Sequence, residues 1–214
     1  KSKSKTRDPA PRAPISAELA RPRPVRRTPS GSGAGMVSAA QIFSRDGEYA
    51  RELGTLVHGL FEEIEWLESD TLTKLEERLQ SRAYVDEKIK NDAIQQLRNA
   101  LGDSEIASAL SQPETSAEVW REKSFEILLD GEWLSGTFDR AVIDLDEDGK
   151  PNGATIIDFK TNRAETDQDI DFLVEKYHPQ LETYRKVLSQ ITGLNESAIE
   201  TQLLFTRSAR LVGC

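Results

Sequence analysis

The chain has 214 residues, 37% hydrophobic and 30% charged, with a net charge of −9; that length can bury one medium-sized core. No apolar run approaches the roughly 18 residues of a membrane span, and no signal peptide is visible. The single cysteine, Cys214, excludes internal disulfides, Cys-based zinc sites and a cysteine-held iron–sulfur cluster, and it suits a reducing cytoplasm.

The charge is unevenly spread. Residues 1–40 hold nine Lys/Arg against Asp8 and Glu18, together with six of the nine prolines. This composition cannot bury a core, so residues 1–42 read as a basic, Pro-rich linker. The chain opens at Lys rather than Met, and the expectation is a piece of a longer polypeptide whose tether follows an upstream domain. The remainder, with 19 Lys/Arg against 35 Asp/Glu, is acidic. An acidic body argues against broad non-specific nucleic-acid binding. It leaves room for a local basic groove or for carboxylates neutralised by metal ions.

Residues 43–214 read as the folded domain. Tyr49, Leu53, Leu56, Val57, Leu60, Ile64 and Leu67 recur at helical spacing and predict a helix over about 46–68, with His58 on the flank of the stripe. Amphipathic patterns over 71–82, 85–101 and 103–111 predict a helical insert spanning 70–112, a small satellite cluster. From about residue 117 the period changes to two. "EVWREKSFEILLD" and "GEWLSGTFDRAVIDLD" read as strands joined by an Asp130-Gly131 hairpin turn. "EDGKPNG" is a second turn and "ATIIDFKT" a third strand. A helix follows over about 167–192, limited or kinked by Pro179, and "IETQLLFT" is a last strand. Helices, a three-strand meander, a helix and a strand make an α/β sandwich with a mixed sheet.

Two carboxylates interrupt apolar strands, where charge is most costly. Side chains alternate along a strand, so Asp158 and Lys160 share a face roughly 7 Å apart. Asp139 shares its face with Ala141 and Ile143 on the preceding strand, and pairing can bring it beside Asp158. Carboxylates that converge raise each other's pKa unless a cation lies between them, and Mg2+ with its preference for oxygen ligands is the natural occupant. Asp-x-Lys alone is a weak motif: Asp86/Lys88 and Asp148/Lys150 repeat it in segments that read as solvated surface. For Asp158/Lys160 a buried salt bridge and a metal site are both open, and Asp139 tips the balance to the site. Gln180 and Tyr184, at i and i+4, either line such a site or belong to an ordinary amphipathic helix. His58 is equally open between a boundary histidine and a ligand.

Taken together, "GTLVH", "GTFDR", "IIDFKT", "QLETY" and "LLFT" resemble the PD-(D/E)XK nuclease superfamily, and more closely the C-terminal nuclease domain of RecB- and AddA-type helicase–nucleases, the exonuclease V beta-subunit family. The resemblance spans roughly residues 50–206. It implies a restriction-endonuclease-like core, a mixed sheet flanked by helices. It implies His58, Asp139 and Asp158 as divalent-metal ligands, with the carbonyl of Phe159 as a further one, and Asp139, Asp158 and Lys160 as the catalytic group. Gln180 and Tyr184 then line the DNA channel or support the site, and Glu122 supports it from behind. The implied function is DNA phosphodiester hydrolysis with Mg2+, or with Mn2+, in an ATP-dependent helicase–nuclease acting in double-strand break repair. Implied partners are DNA, an upstream helicase domain and a partner subunit. The alternative is a catalytically silent DNA-binding or docking module of the same fold.

Overall fold

A computed structural model describes residues 26–29 and 45–214. The linker expected over residues 1–42 lies outside the described residues except at 26–29, where β1 (Arg26–Arg27) pairs in parallel with the segment Trp133–Leu134. Four helices follow: α1 (Arg45–Glu62), α2 (Thr71–Gln80), α3 (Glu87–Gly102) and α4 (Ser104–Leu110). Asp86 and Asp103 accept backbone N–H groups at the starts of α3 and α4, satisfying donors that a helix leaves open. Asp86/Lys88 is thus a capping sequence, not a site.

The sheet is built from β2 (Ala117–Leu129), β3 (Glu132–Leu145), β4 (Pro151–Lys160), β5 (Ile199–Phe205) and β6 (Arg210–Gly213). Asp130 and Gly131 take φ of 50° and 82°, the left-handed pair that a two-residue hairpin turn requires. β2, β3 and β4 are successively antiparallel, β4 and β5 parallel, and β5 and β6 antiparallel. The sheet is therefore mixed, as expected; β6 is too short to have been read from sequence. Between β4 and β5 runs α5 (Asp167–Thr192), held by a Thr166–Asp169 capping box and closed by Gly193 at φ 78°. Pro179 lies inside it and does not end it.

The sheet separates two cores. Ala141, Ile143, Ala154, Ile156 and Leu203 pack with Leu181, Tyr184 and Leu188 of α5. On the other face, Ile157, Phe159 and Leu204 pack with α1 and with α2, α3 and α4. The 70–112 insert is thus no satellite. Its Leu79, Ala93, Leu97 and Ile106 are fully or almost fully buried in one core with α1.

α1 also ends earlier than the apolar stripe suggests, at Glu62 rather than 68. Beyond it the chain turns so that the carbonyls of Ile64 and Glu65 accept 2.8 Å hydrogen bonds from Arg140 of β3, while the Leu110 carbonyl at the end of α4 lies 3.4 Å away. The Arg140 guanidinium is buried, lies 5.2 Å from the Trp66 ring, and is pushed down to about 10, mainly by burial. It pins the insert to the strand that carries Asp139. Arg140→Met should leave these carbonyls unpaired and cost about 2–4 kcal/mol, read as a lower midpoint in urea unfolding with an unchanged slope.

Candidate metal centre

The β3–β4 ladder runs from Leu145 opposite Pro151 to Arg140 opposite Ile157 and stops there. Beyond that point the Phe159 N–H donates to Asp139 Oδ2 at 2.7 Å. A carboxylate thus fills the gap where the strands part. Asp139 does not simply continue the Ala141 and Ile143 face. Phe138 and Ala141 both pack with α5, so the alternation slips between them and Asp139 is free to reach the α1 side.

Opposite Asp139 on β2 stands Glu122, with φ 45°. The β2–β3 ladder registers Arg121 with Arg140 and Lys123 with Phe138 but skips the pair between. A left-handed glutamate inside a strand is strained, and nothing in its sequence neighbourhood signals it. The strain carries Glu122 toward α1: its Oε1 lies 3.2 Å from His58 Nδ1, while His58 Nε2 lies 3.1 Å from Asp139 Oδ2. His58, Glu122 and Asp139 offer ligand atoms that all fall within 4.8 Å of one another. Glu122, expected only as support, is part of this cluster.

His58 is placed from two sides. Gly54, one turn earlier on α1, faces Thr161 just past β4, where a Cβ would sit 2.9 Å from the Thr161 Oγ1. Any larger residue there would force Thr161 to shift. The Phe159 ring meets the imidazole edge-on with centroids 5.6 Å apart. The hydrogen bond to Asp139 raises the His58 pKa above its ordinary value against the opposing effect of burial, and the charges of Asp139 and Glu122 add to the rise.

Asp158 and Lys160 lie on the α5 side of β4. Asp158 is 2% exposed, and its carboxylate is in ion-pair contact with Lys160. Burial, then the Asp139 charge, push Asp158 up to about 6 against the pull of Lys160. Gln180 ties the group together. Its amide nitrogen donates to Asp158 Oδ1 at 3.2 Å and to the Tyr184 hydroxyl at 3.1 Å, and its oxygen accepts from Lys160 Nζ at 3.4 Å. Gln180 and Tyr184 are both buried behind the carboxylates.

Sequence reasoning missed Tyr177. Its ring centroid is 4.2 Å from Lys160 Nζ and its hydroxyl donates to Asn162 at 2.9 Å. Its position three residues before Gln180, on the same helix face, is the available signal. Thr206, the last residue of "LLFT", donates its N–H to the Lys160 carbonyl at 3.0 Å. In contrast Asp148/Lys150 is exposed, its charges 3.9 Å apart in a turn.

The donor set suits a divalent cation. Glu122 Oε1 is buried and receives no hydrogen bond. A neutral imidazole can donate from only one nitrogen, yet both nitrogens of His58 face carboxylates. Three carboxylates and one histidine around one region carry more negative charge than Lys160 offsets, a donor set of hard oxygens with one imidazole that fits a divalent cation. A cleft of ≈ 540 Å³ opens beside it, lined by His58, Glu122, Phe159 and Thr161.

The family model of the PD-(D/E)XK nuclease superfamily matches residues 35–212, which include every residue of this cluster. No curated protein matches the chain. Among the described residues, no helix is long and apolar enough to cross a membrane.

Proposed function

The chain belongs to the PD-(D/E)XK nuclease superfamily, and on that premise we propose that it is a divalent-metal-dependent deoxyribonuclease whose site is the His58–Glu122–Asp139 cluster with Asp158 and Lys160. The observation that carries this reading is the convergence of His58, Glu122 and Asp139 on one point beside the ion pair of Asp158 and Lys160.

In this reading His58, Asp139 and Asp158 would hold Mg2+ or Mn2+, and Glu122 would join or back them. The Phe159 carbonyl would add an oxygen ligand. When bound, the cation supplies Lewis-acid charge for attack on phosphorus and for the departing oxygen. The chain's own residues do the positioning. Lys160, held over the Tyr177 ring and by Gln180, orients the attacking water and offsets charge that develops on the phosphoryl oxygens. Gln180 fixes Asp158 and Lys160 relative to each other, and Tyr184 anchors Gln180. Burial and the negative charge of Asp158 hold the Tyr184 hydroxyl well above its ordinary pKa, so it acts as a neutral hydrogen-bonding group.

The wider setting follows the resemblance to RecB- and AddA-type domains. Residues 1–42 would tether the nuclease to a DNA helicase domain, in a cytoplasmic complex with a partner subunit that processes broken DNA ends. The test is cleavage of linear and circular single-stranded DNA with Mg2+, Mn2+ or EDTA. Cation-dependent loss of the linear strand is expected, and cutting of circles would add endonuclease capacity. Intact substrates under every condition would leave the silent docking module as the better reading.

A further inference from the structure

The cleft beside the cluster does not end at α1. A second cavity of ≈ 500 Å³ lies across the same helix, and Arg51, Thr55 and Gly59 line both. Its remaining wall includes Arg82, Tyr84 and Val85, from the loop between α2 and α3. Tyr84 is 84% exposed, the most exposed large hydrophobic side chain among the described residues.

Two details of this trough bear on its use. Gly59 sits inside α1, where glycine is destabilising relative to alanine. A Cβ there would meet nothing within 4 Å, so packing within the protein does not require the glycine. It keeps the ridge between the two cavities low. Arg51 is exposed at that ridge and has no ion pair among the described residues, whereas Arg82 is paired with Glu63 at 2.9 Å. Glu48 and Glu52 also line the second cavity, so it carries no strong positive field and suits a nucleobase better than a run of phosphates. An exposed aromatic ring such as tyrosine offers a face on which an unpaired base can stack.

We propose that this trough is a subsite for an unpaired DNA strand leaving the metal centre: Arg51 contacts a phosphate at the ridge, the strand passes over Gly59, and a base stacks on Tyr84. This gives the 70–112 insert a role in substrate binding, and it rests on the nuclease reading above.

The experiment is fluorescence anisotropy of a labelled 12-nucleotide oligo-dT with the full chain, Ca2+ replacing Mg2+, beside a duplex of equal length and a strand carrying abasic sites. Stacking of one base is worth ~1–3 kcal/mol by alanine substitution, so Tyr84→Ala should raise the Kd for oligo-dT by about 5-fold or more, while Tyr84→Trp holds it. The abasic strand should show no difference between wild type and Tyr84→Ala. Gly59→Gln should raise Tm yet weaken strand binding, an outcome that a purely structural glycine would not produce. Unchanged Kd in Tyr84→Ala, with wild type still binding and cutting the strand, overturns this subsite alone. A wild type that neither binds nor cuts overturns the nuclease reading and the subsite with it. Equal losses for duplex and single strand also overturn it, since a duplex offers no unpaired base.

Discussion

Asp158→Ala should reduce cation-dependent DNA cleavage by ~10³-fold or more, because a ligand whose cation contributes several kcal/mol to the transition state cannot be spared. The fold should survive. Asp158 is almost fully buried and pushed up to about 6 by burial and by Asp139, so its ionised form is a cost to the metal-free protein. What the substitution removes is one partner each of Lys160, which keeps the Tyr177 ring at 4.2 Å and the Gln180 oxygen at 3.4 Å, and of the Gln180 amide, which keeps the Tyr184 hydroxyl at 3.1 Å. Circular dichroism and a cooperative melt should therefore resemble wild type. Asp148→Ala is the matched control: the same Asp-x-Lys spacing, but with Asp148 80% exposed in a turn, so activity should not change. Full activity in Asp158→Ala would sink the assignment of the site.

The rise in Tm on adding Mg2+ or Mn2+ should be larger at pH 8 than at pH 6. His58 is held above its ordinary value by Asp139 and Glu122, and Asp158 is raised to about 6. In the metal-free protein both groups bind their protons more tightly than in the unfolded chain. Their contribution to stability is present at low pH and is lost as pH rises through the folded values. A cation needs these groups deprotonated, so its affinity gains what the metal-free protein loses. Displacing one proton changes apparent affinity up to ~10-fold per pH unit below the histidine's value, or about 2–4 °C in Tm for a chain of this size. Thermal melts across pH 5.5–8.5 with and without saturating Mn2+ provide the measurement. His58→Asn should flatten the trend, and a larger shift at pH 6 than at pH 8 would contradict the ligand role.

Much of the scaffold was readable because local rules and global fold agree. Asp130-Gly131 demanded a hairpin turn, and α5 spans the predicted 167–192 with its capping box and terminal glycine in place. The cluster was readable in part. Asp139, Asp158, Lys160 and His58 stood out as charged or titratable residues against apolar patterns, and the structure gathers them. Three things were hidden. The left-handed backbone of Glu122 has no sequence marker, since neither glycine nor asparagine occupies the position. The slip in alternation between Phe138 and Ala141, which turns Asp139 toward α1, defeats a strict period of two. Just past the end of α1 at Glu62, the Ile64 carbonyl is taken by Arg140, 76 residues away in sequence, a contact that an apolar stripe running to Leu67 cannot announce. Each miss is a tertiary contact overriding a local preference.

The parallel pairing of β4 with β5 has a consequence for the order of events during synthesis. Residues 154–160 of β4 take residues 199–205 as their neighbours, across the whole of α5. While a ribosome is still adding residues 161–198, the edge that bears Asp158 and Lys160 has no β5 beside it, and the Lys160 carbonyl has no Thr206 N–H to receive. The nascent chain therefore carries all the residues of the cluster well before it can hold them in place.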